Sequence, residues 1–89
     1  MAAERFTFTL RLNGKRVREV DSFTRALDLD EARRTDRILL NWMVAAIERA
    51  GFDPAKMVNQ FDLSVCREGE VRSAFVFAAS VDEVPDAER

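Results

Sequence analysis

Positions 6–14 read FTFTLRLNG and set the register of a first β-ribbon. Apolar and polar residues alternate up to the Asn-Gly pair, which is typical of a strand with one buried and one exposed face. Asn-Gly is typical of a two-residue hairpin turn, because both turn positions need a positive φ. We therefore predict a hairpin in which Arg11 lies opposite Arg16. A bulge or the end of regular pairing is expected near Glu19, because Glu19 would otherwise lie opposite Phe8.

The middle of the chain predicts a helix. From Thr35 onward apolar residues recur at three- and four-residue steps, and Gly51 stands where a left-handed C-terminal cap belongs. Asp53 and Pro54 then predict a brief helical turn to about Val58, because aspartate caps helices and proline favours their first position.

Residues 22–34 are open to two interpretations. They form either a loop or a short helix that begins near Glu31, with Asp28 or Asp30 as its cap. The acidic side chains of this stretch also alternate as the oxygen ligands of a cation would, but a calcium loop needs more ligands and a central glycine. We therefore expect a helix cap here and no metal site.

A second ribbon is predicted over residues 60–65 and 71–79. A three-residue loop ending at Gly69 would place Val65 opposite Val71. The aromatic and branched residues of both strands then share one face, which is the face that a helix can cover.

These elements predict an α+β fold with ββαββ order. Both ribbons bury one face, so a four-stranded, mainly antiparallel sheet with one long helix packed on one face accommodates them. A β-grasp-like mixed sheet, with the first and last strands parallel at its centre, fits the same order. Residues 1–79 are predicted to form this single domain, and residues 80–89 a flexible acidic C-terminal tail.

Length and composition suit a small globular domain. The 89 residues carry a net charge of −2, and 47% of them are hydrophobic. No apolar run reaches the roughly 18–20 residues of a membrane helix, so no membrane partner is expected. The start of the chain has no apolar signal region, and Cys66 is the single cysteine, so we predict a cytoplasmic protein.

The residue inventory argues against an enzyme. The chain contains no histidine and no tyrosine, which removes the commonest general base and the commonest metal ligand. Its sequence also lacks a glycine-rich phosphate loop and a cluster of cysteines. We predict no catalytic residue, no cofactor-binding residue and no metal ligand.

Charge is distributed unevenly along the chain. Residues 1–25 hold six basic side chains against three acidic ones, whereas residues 51–89 hold four against eight. Arg11, Arg16 and Arg18 are predicted to share the exposed face of the first ribbon, where like charges opposite each other cost stability. We interpret this face as a binding surface for an acidic protein partner. Nucleic acid is the alternative ligand, and a face that is solvated or screened by the chain's own acidic tail is the non-functional interpretation.

Two apolar surfaces are left over by the predicted fold. The helix is apolar over more than the one stripe that a sheet can cover, with Leu40 and Val44 as the surplus. Cys66, Ala74 and Val76 form a second patch on the outer sheet face. We expect at least one patch to be buried in a homodimer. The sequence thus predicts a non-enzymatic protein-protein interaction protein, acting as an inhibitor, an adaptor or an assembly subunit.

Overall fold

The computed structural model describes residues 3–34 and 36–84 and confirms the α+β class. Five strands form one sheet: β1 (Glu4–Leu12), β2 (Lys15–Arg16), β3 (Phe23–Leu27), β4 (Phe61–Arg67) and β5 (Phe75–Phe77). The helices are α1 (Leu29–Arg34), α2 (Arg37–Arg49) and α3 (Pro54–Met57), with 3₁₀ turns at Val58–Gln60 and Val81–Glu83. The predicted helix start at Thr35 lies outside the described residues.

Strand β1 lies inside the sheet and has neighbours on both sides. β4 pairs with one side of it, β2 and β3 pair in succession with the other, and β5 pairs with the far side of β4. Each of these pairings is antiparallel. The predicted antiparallel character is therefore confirmed, whereas the four-strand count and the alternative β-grasp-like mixed sheet are wrong.

The turn of the first ribbon has the predicted geometry. Arg11 lies opposite Arg16. Between them, Asn13 and Gly14 have φ angles of 51° and 84°, in the left-handed region that a two-residue hairpin turn requires. The local signal of the Asn-Gly pair is thus sufficient to fix the register next to the turn.

The fifth strand arises because the second strand of this ribbon is interrupted before the predicted position near Glu19. Val17 and Val20 are both buried, and an unbroken strand would point residues three apart to opposite faces. The chain returns to β1 only at Phe23, which lies opposite Phe8. The break between β2 and β3 therefore lets both valines enter the core.

The core lies between the inner face of the sheet and α2. Its buried side chains come mainly from β1, β4 and α2, and include Phe6, Phe8, Leu10, Leu39, Leu40, Met43, Ala46, Ile47, Leu63 and Val65. The prediction of one long helix is wrong in detail, because the helical residues are divided among three helices and α2 has 13 residues. Among the described helices, none has both the length and the apolar content to cross a membrane.

Gly51 ends α2 as predicted. Its N–H donates to the carbonyl of Glu48 at 3.0 Å, and its φ of 95° turns the chain so that the N–H of Phe52 donates to the carbonyl of Ile47 at 3.2 Å. This pair of bonds satisfies carbonyls that the helix end would otherwise leave open. α3 then begins behind Asp53, whose side chain accepts an N–H of the first turn, so the predicted capped turn is also confirmed.

The second ribbon has a longer loop than predicted. Val65 lies opposite Phe75 instead of Val71, and Ser64 lies opposite Val76. The register has moved by four residues, and an even shift leaves each strand residue on its predicted face. Val71 instead stands in the loop, where it is 98% exposed.

Residues 80–84 belong to the predicted tail. The N–H of Ser80 donates to a carboxylate oxygen of Glu83 at 2.8 Å, and Val84 is buried. This turn contacts α3. Residues 85–89 lie outside the described residues, so the flexibility of the tail and the domain boundary after residue 79 stay predictions.

Candidate functional site

Three cations project around the turn of the first ribbon, and we call Lys15, Arg16 and Arg18 the cationic tip. All three side chains are exposed, and together they line an open cleft of about 600 Å³. Within residues 3–34 and 36–84, none of them forms an ion pair or a side-chain hydrogen bond. The tip therefore presents its charge to solvent and to any anionic partner.

Arg11 stands beside the tip but is already paired. Its Nε donates to Asp62 Oδ1 at 2.7 Å and its Nη2 to Asp62 Oδ2 at 3.1 Å, across the β1–β4 pairing. Hydrogen bonding to this carboxylate raises the pKa of Arg11 above its ordinary value, against the opposing effect of burial. The carboxylate of Asp62 on β4 thus offsets the predicted repulsion between Arg11 and Arg16. Because Arg11 is engaged by Asp62, it is less available to a partner than the tip.

The tip differs from the predicted arginine face in two residues, because it includes Lys15 and does not include Arg11. Lys15 joins Arg16 and Arg18, although strand alternation places it on the face of Leu12. A lysine next to a tight turn reaches solvent from either face of the strand. The position of Lys15 directly after the turn could therefore have predicted its exposure. Guanidinium and ammonium groups bind carboxylates and phosphates through charge-assisted hydrogen bonds, so the tip has the chemistry of an anion-binding surface.

An aromatic ring also borders the tip. Phe52 lines the groove that adjoins Lys15, Arg16 and Arg18. Its ring packs edge-on against Phe61, with the ring centroids 5.4 Å apart. The ring is half-buried and packed against the core, so less of it is available for the stacking that single-stranded nucleic acids use than in an open ring.

The helical half of the predicted self-association surface is largely internal. Leu40 is buried and Val44 is half-buried. Leu40 follows Leu39 by about 100° around the helix, so both lie on the one wide stripe that faces the core rather than on opposite sides. Leu40 therefore offers little surface to a second copy of the chain.

The sheet half of that surface is divided between two places. Cys66 is half-buried on the outer face, and its Sγ lies 3.7 Å from the carbonyl oxygen of Val71. Ala74 and Val76 are exposed and lie together at β5, which is the last strand of the sheet on that side. Ala74 also borders a groove of about 420 Å³ between β5 and the helices.

The outer face beside these residues is more polar than predicted. Its hydroxyl groups bond to one another: Thr7 to Thr24 at 3.3 Å, Thr9 to Ser22 at 2.7 Å and Ser64 to Ser73 at 2.6 Å. Hydroxyl groups satisfied in this way tolerate water on an uncovered sheet face. On the outer face of the sheet, the open apolar surface is therefore concentrated at the β5 edge.

The acidic stretch before α1 acts as a helix cap. Asp28 Oδ1 accepts the N–H of Asp30 at 3.0 Å and that of Glu31 at 3.4 Å. This confirms Asp28 as the cap of a helix that begins at Leu29, slightly before the predicted start. In the described part of the chain, no group of three or more Cys, Asp or Glu side chains is arranged to hold a metal ion.

Comparison with protein families, with curated proteins and with solved structures finds no match for this chain. Two surfaces thus stand out by their own chemistry. They are the cationic tip at the β1–β2 turn and the apolar edge at β5.

Proposed function

We propose that this chain is a non-enzymatic protein-interaction protein that binds an acidic surface of a partner through the cationic tip and that forms a homodimer. It would act by occupying the partner's surface, as an inhibitor, an adaptor or an assembly subunit. The proposal assigns no catalytic residue. It places the protein in the cytoplasm, where the single unpaired Cys66 would remain reduced.

One observation carries the proposal for the tip. Arg11 has a bidentate carboxylate partner, whereas the three neighbouring cations of the tip have none among the described residues. Like charges gathered at one turn repel each other, and an anionic partner removes this repulsion. A carboxylate-rich protein surface suits the mixed lysine and arginine groups of the tip.

An acidic protein is favoured over nucleic acid as the partner. Phe52, whose ring borders the tip, is packed on Phe61, and the whole chain has a net charge of −2. Nucleic-acid affinity comes mainly from neutralising several phosphates, and base stacking adds to it for single strands. Three cations on an acidic protein supply little of the first, and the neighbouring ring supplies little of the second.

Fluorescence anisotropy with two labelled probes tests this proposal. The probes are a poly-glutamate peptide of about ten residues and a DNA duplex of about 20 base pairs, each titrated at about 50 and about 200 mM salt. We expect the peptide to bind more tightly than the duplex, and binding to weaken as salt rises. The double variant Arg16→Gln/Arg18→Gln should lower peptide affinity by about tenfold.

A matched double variant, Arg34→Gln/Lys56→Gln, removes the same charge from exposed positions outside the tip. It should change peptide affinity by less than about twofold. Equal losses in both double variants, or no binding of the peptide by the unmodified chain, would contradict the proposal. Tighter binding of the duplex, lost in the tip variant, would establish the nucleic-acid alternative instead.

A further inference from the structure

The main-chain groups of Val76 point away from the sheet. The N–H of Asn13 donates to the carbonyl of Gln60, and the N–H of Glu68 to that of Arg5, so even-numbered residues of β4 bond to β1. Main-chain groups alternate in direction along an antiparallel strand, so odd-numbered residues of β4 bond to β5.

The pairing of β4 with β5 then fixes the directions on β5. Phe75 and Phe77 lie opposite the odd-numbered Val65 and Leu63, and they bond to β4. Val76 lies opposite Ser64, whose main-chain groups already serve β1. The N–H and C=O of Val76 therefore face the open side of β5, where no other described strand follows.

This edge is short, with three residues in β5, but its side chains give no protection against strand pairing. Proteins blunt exposed edges with charges, prolines or a covering element. Residues 73–81, SAFVFAASV, contain neither a charge nor a proline. The Val76 side chain is 48% exposed. A strand edge of this composition is a template for another strand.

The sequence of the edge identifies the strand that fits it. Residues 74–78 read AFVFA, which is the same in both directions. A two-fold axis through Val76 would place each residue of β5 opposite an identical one: Val76 opposite Val76 of a second copy, and Phe75 opposite Phe77. Ala74 lies outside this pairing, because its N–H donates to the carbonyl of Val65 at 2.7 Å. Apolar cross-strand pairs of this kind stabilise antiparallel strands.

We propose that two copies of this chain join β5 to β5, antiparallel and centred on Val76, into one continuous sheet. The inference rests on the homodimer included in the proposed function and gives that dimer a geometry. It is independent of the cationic tip, which lies at the β1–β2 turn.

The groove beside β5 supplies further area. Its apolar lining comes from Leu29, Ala32, Leu39, Ala74, Phe75 and Phe77, and Arg33, Asp36 and Arg67 line the rest of it. A two-fold axis perpendicular to the sheet keeps the helices of both copies on one side, so the two grooves lie next to each other across the axis. A stable interface buries roughly 800 Å² on each partner, which is more than a three-residue strand provides, and closing these grooves adds apolar area.

Analytical ultracentrifugation of the full chain tests the pairing. The protein is measured at concentrations of about 100 µM and below, at which a specific dimer remains associated. The variants are Val76→Lys, which places a charge opposite its own copy, and Val76→Pro, which removes the outward N–H. We expect the unmodified chain to be a dimer and each variant to raise the dissociation constant by about 100-fold or more. Circular dichroism should show that Val76→Lys keeps the fold, since the side chain is exposed.

Ala26→Lys is the matched control, because Ala26 is an exposed residue of β3 on the opposite edge of the sheet. It should leave the dimer intact. A monomeric unmodified chain would overturn self-association altogether. A dimer that survives Val76→Lys and Val76→Pro would overturn the β5 pairing while leaving self-association in place, and loss of the dimer in Ala26→Lys would move the interface to the other edge. Peptide binding by the tip is measured separately and does not depend on any of these results.

Discussion

The two edges of the sheet share one geometry and differ in chemistry. At the β3 edge, Val17 donates its N–H to the carbonyl of Leu10, so the even-numbered residues of β1 bond to β2 and β3. Thr24 and Ala26 therefore point their main-chain groups outward, as Val76 does at the β5 edge. At β3, however, the outward carbonyl of Thr24 accepts a hydrogen bond from Arg25 Nη1 at 3.0 Å.

The cations at the β3 edge also lie over an aromatic ring, in addition to the hydrogen bond to Thr24. The guanidinium carbon of Arg25 lies 5.1 Å from the centroid of the Phe23 ring, and that of Arg49 lies 6.0 Å from it. Two charges thus lie over the Phe23 ring, which stacks on Phe8. A strand that approaches β3 would have to desolvate these charges, whereas one that approaches β5 meets valine and alanine.

An edge of this sheet is therefore open or closed to strand pairing because of its side chains rather than its backbone. Both edges carry outward N–H and C=O groups on alternate residues. Only the β5 edge leaves them beside uncharged, self-complementary side chains. Exchanging those side chains should therefore exchange the behaviour of the two edges.

The largest expected effect is on the free energy of unfolding, to which the two edge strands contribute unequally. Phe77 of β5 is buried and Phe23 of β3 is half-buried. Phe77→Ala should lower the free energy of unfolding by about 3 kcal/mol, and Phe23→Ala by about half as much. Urea unfolding in a Val76→Lys background measures both without a contribution from dimerisation. A larger loss for Phe23→Ala would show that the open edge is the loosely held one.

A change of association state is expected when the closed edge is opened. Arg25→Val removes the hydrogen bond to Thr24 and one of the two charges over Phe23. A chain with two open edges can pair with a further copy at each edge, so assembly does not stop at the dimer. We therefore expect species larger than a dimer in sedimentation velocity. Arg25→Lys keeps the charge and should remain a dimer. An Arg25→Val chain that stays dimeric would mean that Arg25 does not protect this edge.

Local sequence signals predicted much of the architecture. Asn13 and Gly14 fixed the first turn, Gly51 ended α2, and Asp53 capped α3, because each acts through bonds to residues a few positions away. The end of β2 was predicted near Glu19, whereas the strand ends at Arg16. Its position depends on the burial of both Val17 and Val20, which is a property of the packed core.

The candidate surfaces were predictable only in part for the same reason. Arg16, Arg18 and Val76 were found because exposure follows from strand alternation and composition. The pairing of Arg11 with Asp62 joins residues 51 positions apart, and only the β1–β4 register brings them together. Leu40 was assigned to the wrong side of the helix because the apolar stripe was drawn too narrow.

The most direct test is an isotope-filtered nuclear Overhauser experiment on a dimer assembled from labelled and unlabelled chains. Pairing centred on Val76 makes Phe75 and the partner's Phe77 a non-hydrogen-bonded pair, with Cα atoms about 4.5 Å apart. We predict strong intermolecular contacts between the Hα protons of Phe75 and the partner's Phe77. Intermolecular contacts at Thr24 and Ala26 instead, or none at β5, would contradict the account.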